Sequence, residues 1–340
     1  MKQRNELIDV IKGFAILLVV LGHAVQYNVK AFDQHILFRV IYSFHMPLFM
    51  FISGFVACGT FDGSFQVLRK RFNSLIIPFF SWLAITDLLG LLFNYLHYQD
   101  PIISYHSPIA VILSPSNGGL WFLWILFQNY LILFLALRIK FIREEWCILL
   151  LGILIFVLSE YFRKIPVIHG LRNSGWYLIF FSLGYMLNRY KEQTLPFLRK
   201  TFPLILLLFV LTVSVWYRAK TPKVIFSFPL YLRSYIYYIY LFLVPITGVF
   251  SVWFILEKMI QIKLLKLLFS QLGVISLAIY AIHYYFISLG IAIFQFHVDL
   301  KIYIVSIFAL TAAIFTQKLL AKSKLLAFLL LGRKLAKSNH

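Results

Sequence analysis

Residues 235–256 read YIYYIYLFLVPITGVFSVWFIL and contain no charged side chain. A helix needs about 20 mainly apolar residues to cross the hydrocarbon core of a bilayer. Residues 204–216 also lack charge, and residues 11–20 contain one charged side chain. These runs predict helices that lie in lipid, and they decide the class of fold.

The composition of the whole chain agrees with these runs. Of 340 residues, 61% are hydrophobic and 13% are charged, with a mean hydropathy of +0.86. Soluble domains average about 45–50% apolar and about 25% charged residues. We therefore predict an all-α, polytopic transmembrane helix bundle. No repeat or linker divides the sequence, so we expect one membrane domain over residues 1–340, with a core at about 4–320 and a basic cytosolic tail at 321–340.

The apolar runs predict about ten spans, and the basic residues between them predict the orientation. The spans lie at roughly 7–26, 36–57, 75–96, 119–137, 146–162, 175–188, 203–217, 231–256, 270–295 and 302–320. With the N-terminus inside, 21 Lys and Arg residues fall on the cytosolic side and 10 fall outside, while the external loop 97–118 has none. The positive-inside rule then favours N-in, C-in.

The net charge of +20 indicates a membrane surface rather than nucleic acid as the partner. The basic residues lie mainly in short loops between apolar runs, where orientation signals occur. The tail from Lys322 to Lys337 is expected to lie against anionic lipid. The cations that remain outside are also what a site for an anionic glycan would contain.

Ionisable residues inside the first span are candidates for function. A charge at the bilayer centre costs at least about 2.5–3.5 kcal/mol, so it normally faces a bundle interior or a wet cavity. At 100° per residue, Lys12 and His23 differ by about 20° and Asp9 and His23 by about 40° around the helix. The three side chains therefore share one face, with Lys12 and His23 about 16 Å apart along the axis.

Structural explanations remain open for two of these residues. Asp9 and Lys12 have the spacing of an ordinary i,i+3 pair at a helix start. Lys12 can also extend along the helix to the interface. For His23 we favour function, because an imidazole titrates near neutral pH.

The second span has a histidine beside a proline, in residues 44–55, FHMPLFMFISGF. Pro47 is expected to kink or break the helix, which is tolerated at membrane depth where protein or a cavity satisfies the backbone. His45 is thus either a cavity-lining residue or a partner for the carbonyl that Pro47 frees. Gly54 permits close helix approach.

Later positions supply weaker candidates. Asp87 and Glu160 could pair with nearby cations, and His283 shares a helix face with Ser276 and Tyr280. Trp121 follows a turn that enters the fourth span, where it could cover a sugar ring or belong to an interfacial aromatic belt. The sequence contains no P-loop, dinucleotide or HExxH motif, so we expect neither ATP hydrolysis nor a metal site.

These motifs together resemble those of a known family. Residues 8–23, IDVIKGFAILLVVLGH, are similar to the opening of acyltransferase family 3, and most of all to its fucose 4-O-acetylase-like subgroup. The family begins with a basic residue, ten intervening residues and a histidine, which Lys12 and His23 match. Many members have arginine where this chain has Lys12, which can act only as a point charge. The resemblance covers about residues 4–320, including the stretches 44–55, 71–78, 120–123, 181–185 and 276–283.

The resemblance implies a membrane O-acyltransferase of the cell membrane. Its donor would be cytosolic acyl-CoA, usually acetyl-CoA, which is a substrate and not a bound cofactor. Its acceptor would be a hydroxyl of a cell-surface or lipid-linked glycan, and its other partners membrane lipid and glycan-assembly enzymes. His23 would be the general base, Lys12 would contact the charged part of the donor or maintain the polar stripe, and Asp9 would position Lys12. The candidate donor- or acceptor-binding residues are His45, Trp121, His283 and Glu160.

Two other classes of function remain open. A transporter or flippase of lipid-linked sugars would also place ionisable residues along a path, and paired broken helices would favour it. A non-catalytic scaffold ranks last, because it gives Asp9, Lys12 and His23 no role.

Overall fold

The protein is a bundle of α-helices. The computed structural model describes residues 5–95, 119–162, 166–218 and 220–333, and within these ranges it has thirteen α-helices and no β-strand. The helices are α1 Glu6–Asn28, α2 Ile36–Thr60, α3 Phe65–Tyr95, α4 Trp121–Ala136, α5 Glu144–Tyr161, α6 Pro166–Arg189, α7 Lys191–Lys200, α8 Phe202–Ser214, α9 Leu230–Met259, α10 Lys263–Val274, α11 Ser276–Ile293, α12 Val298–Leu320 and α13 Lys324–Leu331. The predicted external loop 97–118 lies outside the described residues, as do parts of the termini.

Six described helices are long and apolar enough to cross a membrane, namely α1, α2, α3, α9, α11 and α12. Helices α7 and α8 make a seventh if they count as one broken span. The prediction of a polytopic helix bundle is confirmed. Every predicted span overlaps a helix, but α4 has only 16 residues, and α5 contains three glutamates.

Two details of the predicted spans are corrected. The predicted span 270–295 consists of parts of α10 and α11, which meet at Ile275. Pro47 does not break α2, which is continuous over its 25 residues. A proline removes one backbone hydrogen bond, and packing inside a bundle can compensate for that loss. The bend of 68° occurs instead between α7 and α8.

Close glycine contacts hold the two helices that contribute His23 and His45. In the crossing of α2 with α6, a Cβ added to Gly54 would lie 1.8 Å from the Phe181 carbonyl oxygen, and one added to Gly184 would lie 1.8 Å from that of Phe51. In the crossing of α1 with α10, the corresponding distances are 1.8 Å from Gly13 to Phe269 and 1.9 Å from Gly273 to Asp9. The prediction for Gly54 is confirmed, since only glycine permits this backbone approach.

Helix α1 lies inside the bundle and packs against α2, α9, α10, α11 and α12. Its cytosolic end, on the predicted orientation, is tied to α10 by an ion pair between Glu6 Oε2 and Lys266 Nζ, at 2.5 Å. His23 lies near the opposite end of the same helix.

Candidate active site

Three histidines from three helices lie close together. The ring centroids of His23 on α1 and His283 on α11 are 5.4 Å apart. The Tyr42 ring lies between His23 and His45 of α2, with its centre 5.9 Å from the centre of the His23 ring and 4.7 Å from that of the His45 ring. The centre of the Tyr284 ring lies 4.5 Å from the centre of the His23 ring and 4.4 Å from that of the His283 ring. We call these five residues the histidine–tyrosine cluster.

Both ring nitrogens of His23 have polar neighbours. Nδ1 lies 3.0 Å from Gln26 Oε1 and 3.0 Å from the Tyr42 hydroxyl, which itself donates to Gln26 Oε1 at 2.6 Å. Nε2 lies 2.7 Å from the Tyr284 hydroxyl. Because an amide oxygen only accepts hydrogen bonds, Gln26 favours the tautomer in which Nδ1 bears the proton. The lone pair of His23 is then on Nε2, where it accepts from Tyr284.

The other two histidines are oriented by backbone carbonyls of their own helices. His45 Nδ1 lies 2.8 Å from the Ile41 carbonyl oxygen, and His283 Nδ1 lies 3.0 Å from that of Ile279. Both side chains are buried, with 3% of His45 and 0% of His283 exposed. A carbonyl only accepts, so each Nδ1 donates and each Nε2 bears a lone pair. His283 Nε2 has no hydrogen-bond partner in the part of the chain that the structure describes.

The Ile41 contact excludes one of the two interpretations of His45, that of a partner for the carbonyl freed by Pro47. Pro47 would free the carbonyl four residues before it, that of Ser43. The ring of His45 bonds to a different carbonyl. His45 therefore belongs to the histidine–tyrosine cluster and does not compensate for the proline.

Trp121 is the first residue of α4, and this end of α4 contacts α11 beside the cluster. The Tyr280 hydroxyl donates to the Gly119 carbonyl oxygen at 2.7 Å and accepts from the Phe122 N–H at 3.3 Å. The Trp121 ring stacks on Tyr177, with centroids 5.0 Å apart. Trp121 is thus half-buried, and the residues on either side of it bond to the helix that contributes His283.

Asp9 and Lys12 lie at the other end of α1. Both side chains are half-buried, and the Asp9 backbone forms part of the glycine crossing with α10. The helix rise separates Lys12 from His23 by about 16 Å. These two residues therefore belong to a different level of the bundle from the histidine–tyrosine cluster.

Glu160 has its own set of partners on other helices. It forms an ion pair with Arg172 of α6 and accepts from the Tyr238 hydroxyl of α9 at 3.3 Å. It lines a mainly apolar cavity of about 480 Å³ between α5, α6 and α9. No contact between this group and the histidine–tyrosine cluster is found among the described residues.

Sequence reasoning missed three polar members of the site. Tyr284 directly follows His283, Tyr42 precedes His45 by three residues, and Gln26 follows His23 by three. The helical spacing of the last two places each on the face of a histidine. This spacing could have indicated Tyr42 and Gln26 as members of the site. In the described ranges, no group of three His, Cys, Asp or Glu side chains could hold a metal ion.

Comparison with known proteins supplies the family. Two relatives are nodulation proteins NolL. That of Sinorhizobium fredii is 30% identical over 200 residues, 56% of this chain and 50% of its own length. That of Mesorhizobium japonicum is 30% identical over 139 residues, 37% of this chain and 34% of its own. The chain thus spans half or less of the length of these relatives.

No solved structure gives a significant match. A family model described as acyltransferase domain, that of acyltransferase family 3, matches residues 5–317. This match covers nearly the whole chain and all three histidines of the site. The chain therefore belongs to acyltransferase family 3.

Proposed function

We propose that the protein is a membrane O-acyltransferase that moves an acyl group, in the simplest case acetyl, from cytosolic acyl-CoA to a glycan hydroxyl. The acceptor would be a cell-surface or lipid-linked glycan at the outer face of the cell membrane. Membership of the acyltransferase family supports the reaction class. The single observation that favours this site is the oriented His23 ring, with Nδ1 against Gln26 and Nε2 against a hydroxyl.

The reaction needs a base near an alcohol. A sugar hydroxyl becomes an effective nucleophile when a base removes its proton as it attacks. In our proposal His23 Nε2 takes that proton, and the alcohol oxygen bonds to the thioester carbonyl carbon. The carbon–sulfur bond then breaks, and the imidazolium returns the proton to the CoA sulfur. The products are the O-acyl ester, free CoA and neutral His23.

The Tyr284 hydroxyl marks the hydrogen-bonding position on His23 Nε2. An acceptor hydroxyl that is activated by Nε2 must take this position. Tyr284 would then be beside the reacting carbonyl, as a donor to the developing oxyanion. His45 and His283 would accept hydrogen bonds from other sugar hydroxyls through their Nε2 atoms, with Trp121 covering one side.

Lys12 and Asp9 fit a donor role better than an acceptor role. They lie at the cytosolic end of α1 on the predicted orientation, about 16 Å from His23. We propose that Lys12 contacts a charged part of acyl-CoA and that Asp9 positions it. Glu160 is assigned no catalytic step, because its carboxylate is bonded to Arg172 and Tyr238.

The test replaces His23 with alanine in cells that produce the full-length protein. We expect loss of acyl transfer by about 10²–10⁴-fold, the usual contribution of a general base. Mass spectrometry of surface polysaccharide would measure the O-acyl content, with immunoblots to equalise protein amounts. His35→Ala is the matched control, because His35 is outside the cluster and lies 4.0 Å from Asp299. Full modification by the His23→Ala protein would remove His23 from the mechanism.

A transporter is the rival function, and the bend between α7 and α8 is the observation that favours it. Transporters with broken helices have them in corresponding positions of two repeats. This bend is the one broken helix pair in the part of the chain described. Release of CoA from acetyl-CoA that depends on added acceptor would decide for the enzyme.

A further inference from the structure

Several cations predicted to lie outside the membrane have structural partners. Arg172 pairs with Glu160, and Lys301 donates to the Ile291 carbonyl oxygen at 3.0 Å. Arg233 donates to the carbonyl oxygens of Phe226 and Phe228, both at 2.9 Å. These contacts account for part of the outward positive charge. The segment between α8 and α9, residues 215–229, has three more cations, Arg218, Lys220 and Lys223.

Arg39 fixes the start of this segment. Arg39 is buried, with 9% of the residue exposed. Its guanidinium donates through Nε to the Trp216 carbonyl oxygen at 2.7 Å and through Nη2 to the Ser214 carbonyl oxygen. These are carbonyls at the C-terminal end of α8, which lack helical partners. The guanidinium also lies 4.0 Å from the centre of the Tyr217 ring. Arg39 therefore acts as a cap that holds the residues just before Arg218.

Arg218 is held over the histidine–tyrosine cluster. Its guanidinium carbon lies 5.5 Å from the centre of the Tyr42 ring, and Tyr217 and Lys220 form an isolated backbone bridge around it. The Tyr42 ring in turn lies 5.9 Å from the His23 ring and 4.7 Å from the His45 ring, centre to centre. Arg218 is exposed, and no carboxylate among the described residues forms an ion pair with it.

We propose that Arg218 binds an anionic group of the acceptor, a carboxylate or phosphate next to the hydroxyl that is acylated. The proposal rests on the acceptor site of the proposed function. An arginine can bind a carboxylate or phosphate through two parallel hydrogen bonds, which would orient the sugar as well as attract it. The same chemistry would also bind a lipid headgroup, so the experiment must distinguish the two sources.

The test measures sugar binding without acyl transfer. The full-length protein in nanodiscs of neutral phosphatidylcholine is titrated with methyl glucuronide and methyl glucoside, and with the corresponding galacturonide and galactoside, by calorimetry. The members of each pair differ only at C6, which is a carboxylate in the uronide and a hydroxymethyl group in the glycoside. We expect the unmodified protein to bind one of the charged sugars about tenfold more tightly than its neutral partner, as one charge-assisted contact would give.

Two substitutions of Arg218 show whether this residue causes the preference for the charged sugar. Arg218→Gln should remove the preference for the charged sugar, and Arg218→Lys should keep part of it. Lys223→Gln, in the same segment and also exposed, should leave it unchanged. Equal affinity of the unmodified protein for every charged and neutral pair would overturn the proposal. So would a preference that Arg218→Gln leaves intact.

A measurement of lipid binding and a measurement of turnover complete the design. If Arg218 binds headgroups instead, phosphatidylglycerol will raise the thermal midpoint of the unmodified protein but not of Arg218→Gln, and the sugar preference will be absent. That result overturns the proposal. Acceptor-dependent CoA release, measured separately, tests the O-acyltransferase function. Sugar preference without CoA release would contradict the proposed function while supporting Arg218 as the anion-binding residue.

Discussion

At the scale of single residues, the three histidines share one arrangement. Each has its Nδ1 bonded to an acceptor in its own helix, which is Gln26 for His23, Ile41 for His45 and Ile279 for His283. The local helix therefore sets all three tautomers before any substrate binds. The three Nε2 atoms are therefore the ones that can accept a proton or a hydrogen bond from a hydroxyl group. A fixed tautomer avoids a reorganisation cost during the reaction.

Tyr284→Phe tests this arrangement, because it removes one hydroxyl and keeps the ring that packs on His23. We expect kcat to fall by about 10²–10³-fold, the usual cost of removing one donor to a developing oxyanion. CoA release by the purified protein would measure the effect. Tyr285→Phe is the matched control, because the Tyr285 hydroxyl bonds Thr86 at 2.7 Å, away from His23. Equal rates for the two variants would contradict the role of Tyr284.

The sequence could identify His23 but not Tyr284, for a physical reason. An imidazole inside an apolar run is costly unless it faces polar surroundings, so His23 was conspicuous. The chain has 20 tyrosines, and helical spacing singled out Tyr280 beside His283 rather than Tyr284. Glu160 was predicted to pair with a nearby cation, and the structure contains such a pair. Its pairing with Arg172 depends on how α5 packs on α6, which a helical pattern does not contain.

At the scale of helices, the glycine crossings are the most specific contacts. They are reciprocal, since each helix supplies a glycine to the backbone of its partner. The sequence indicated Gly54 through its position in a span, but it gave no partner helix. Likewise it predicted a kink or a break at Pro47, and the break does not occur because packing keeps α2 continuous. Helix existence was thus predictable, and helix pairing was not.

Two glycines of α2 provide a paired test of the crossing. A Cβ at Gly54 would lie 1.8 Å from the Phe181 carbonyl oxygen, whereas one at Gly59 would have its nearest neighbour at 3.7 Å. We expect Gly54→Ala to lower stability by about 1–3 kcal/mol through overpacking. Gly59→Ala should be neutral or stabilising by up to about 1 kcal/mol, because alanine favours the helix. Thermal midpoints of the purified proteins would compare them. A stabilising Gly54→Ala would contradict the described crossing.

At the scale of the whole molecule, the orientation depends on the distribution of Lys and Arg. The predicted N-in, C-in arrangement places the α8–α9 segment outside and the α9–α10 turn inside. The ten Lys and Arg residues left outside count against this orientation, but the contacts of Arg172, Arg233 and Lys301 give three of them a structural role. A cation fixed by packing is a poorer topology signal than one in a free loop.

Thiol labelling of intact cells tests the orientation. Cys58 and Cys147 would first be replaced by alanine, and one cysteine introduced at Lys223 or at Lys263. We expect a membrane-impermeant maleimide to label Lys223→Cys in intact cells and Lys263→Cys only after permeabilisation. The reverse pattern would place the histidine–tyrosine cluster at the cytosolic side.

The glycine crossings have a consequence for how such an enzyme can change its substrate. Gly13 lies ten residues from His23 on α1, and Gly54 lies nine residues from His45 on α2. One half of each helix is therefore joined to a neighbouring helix through close backbone contact. The half that carries the two histidines is joined mainly through side chains. Side chains can be exchanged without moving a backbone, so new acceptor specificities can arise at one end of the bundle while the other end keeps the frame intact.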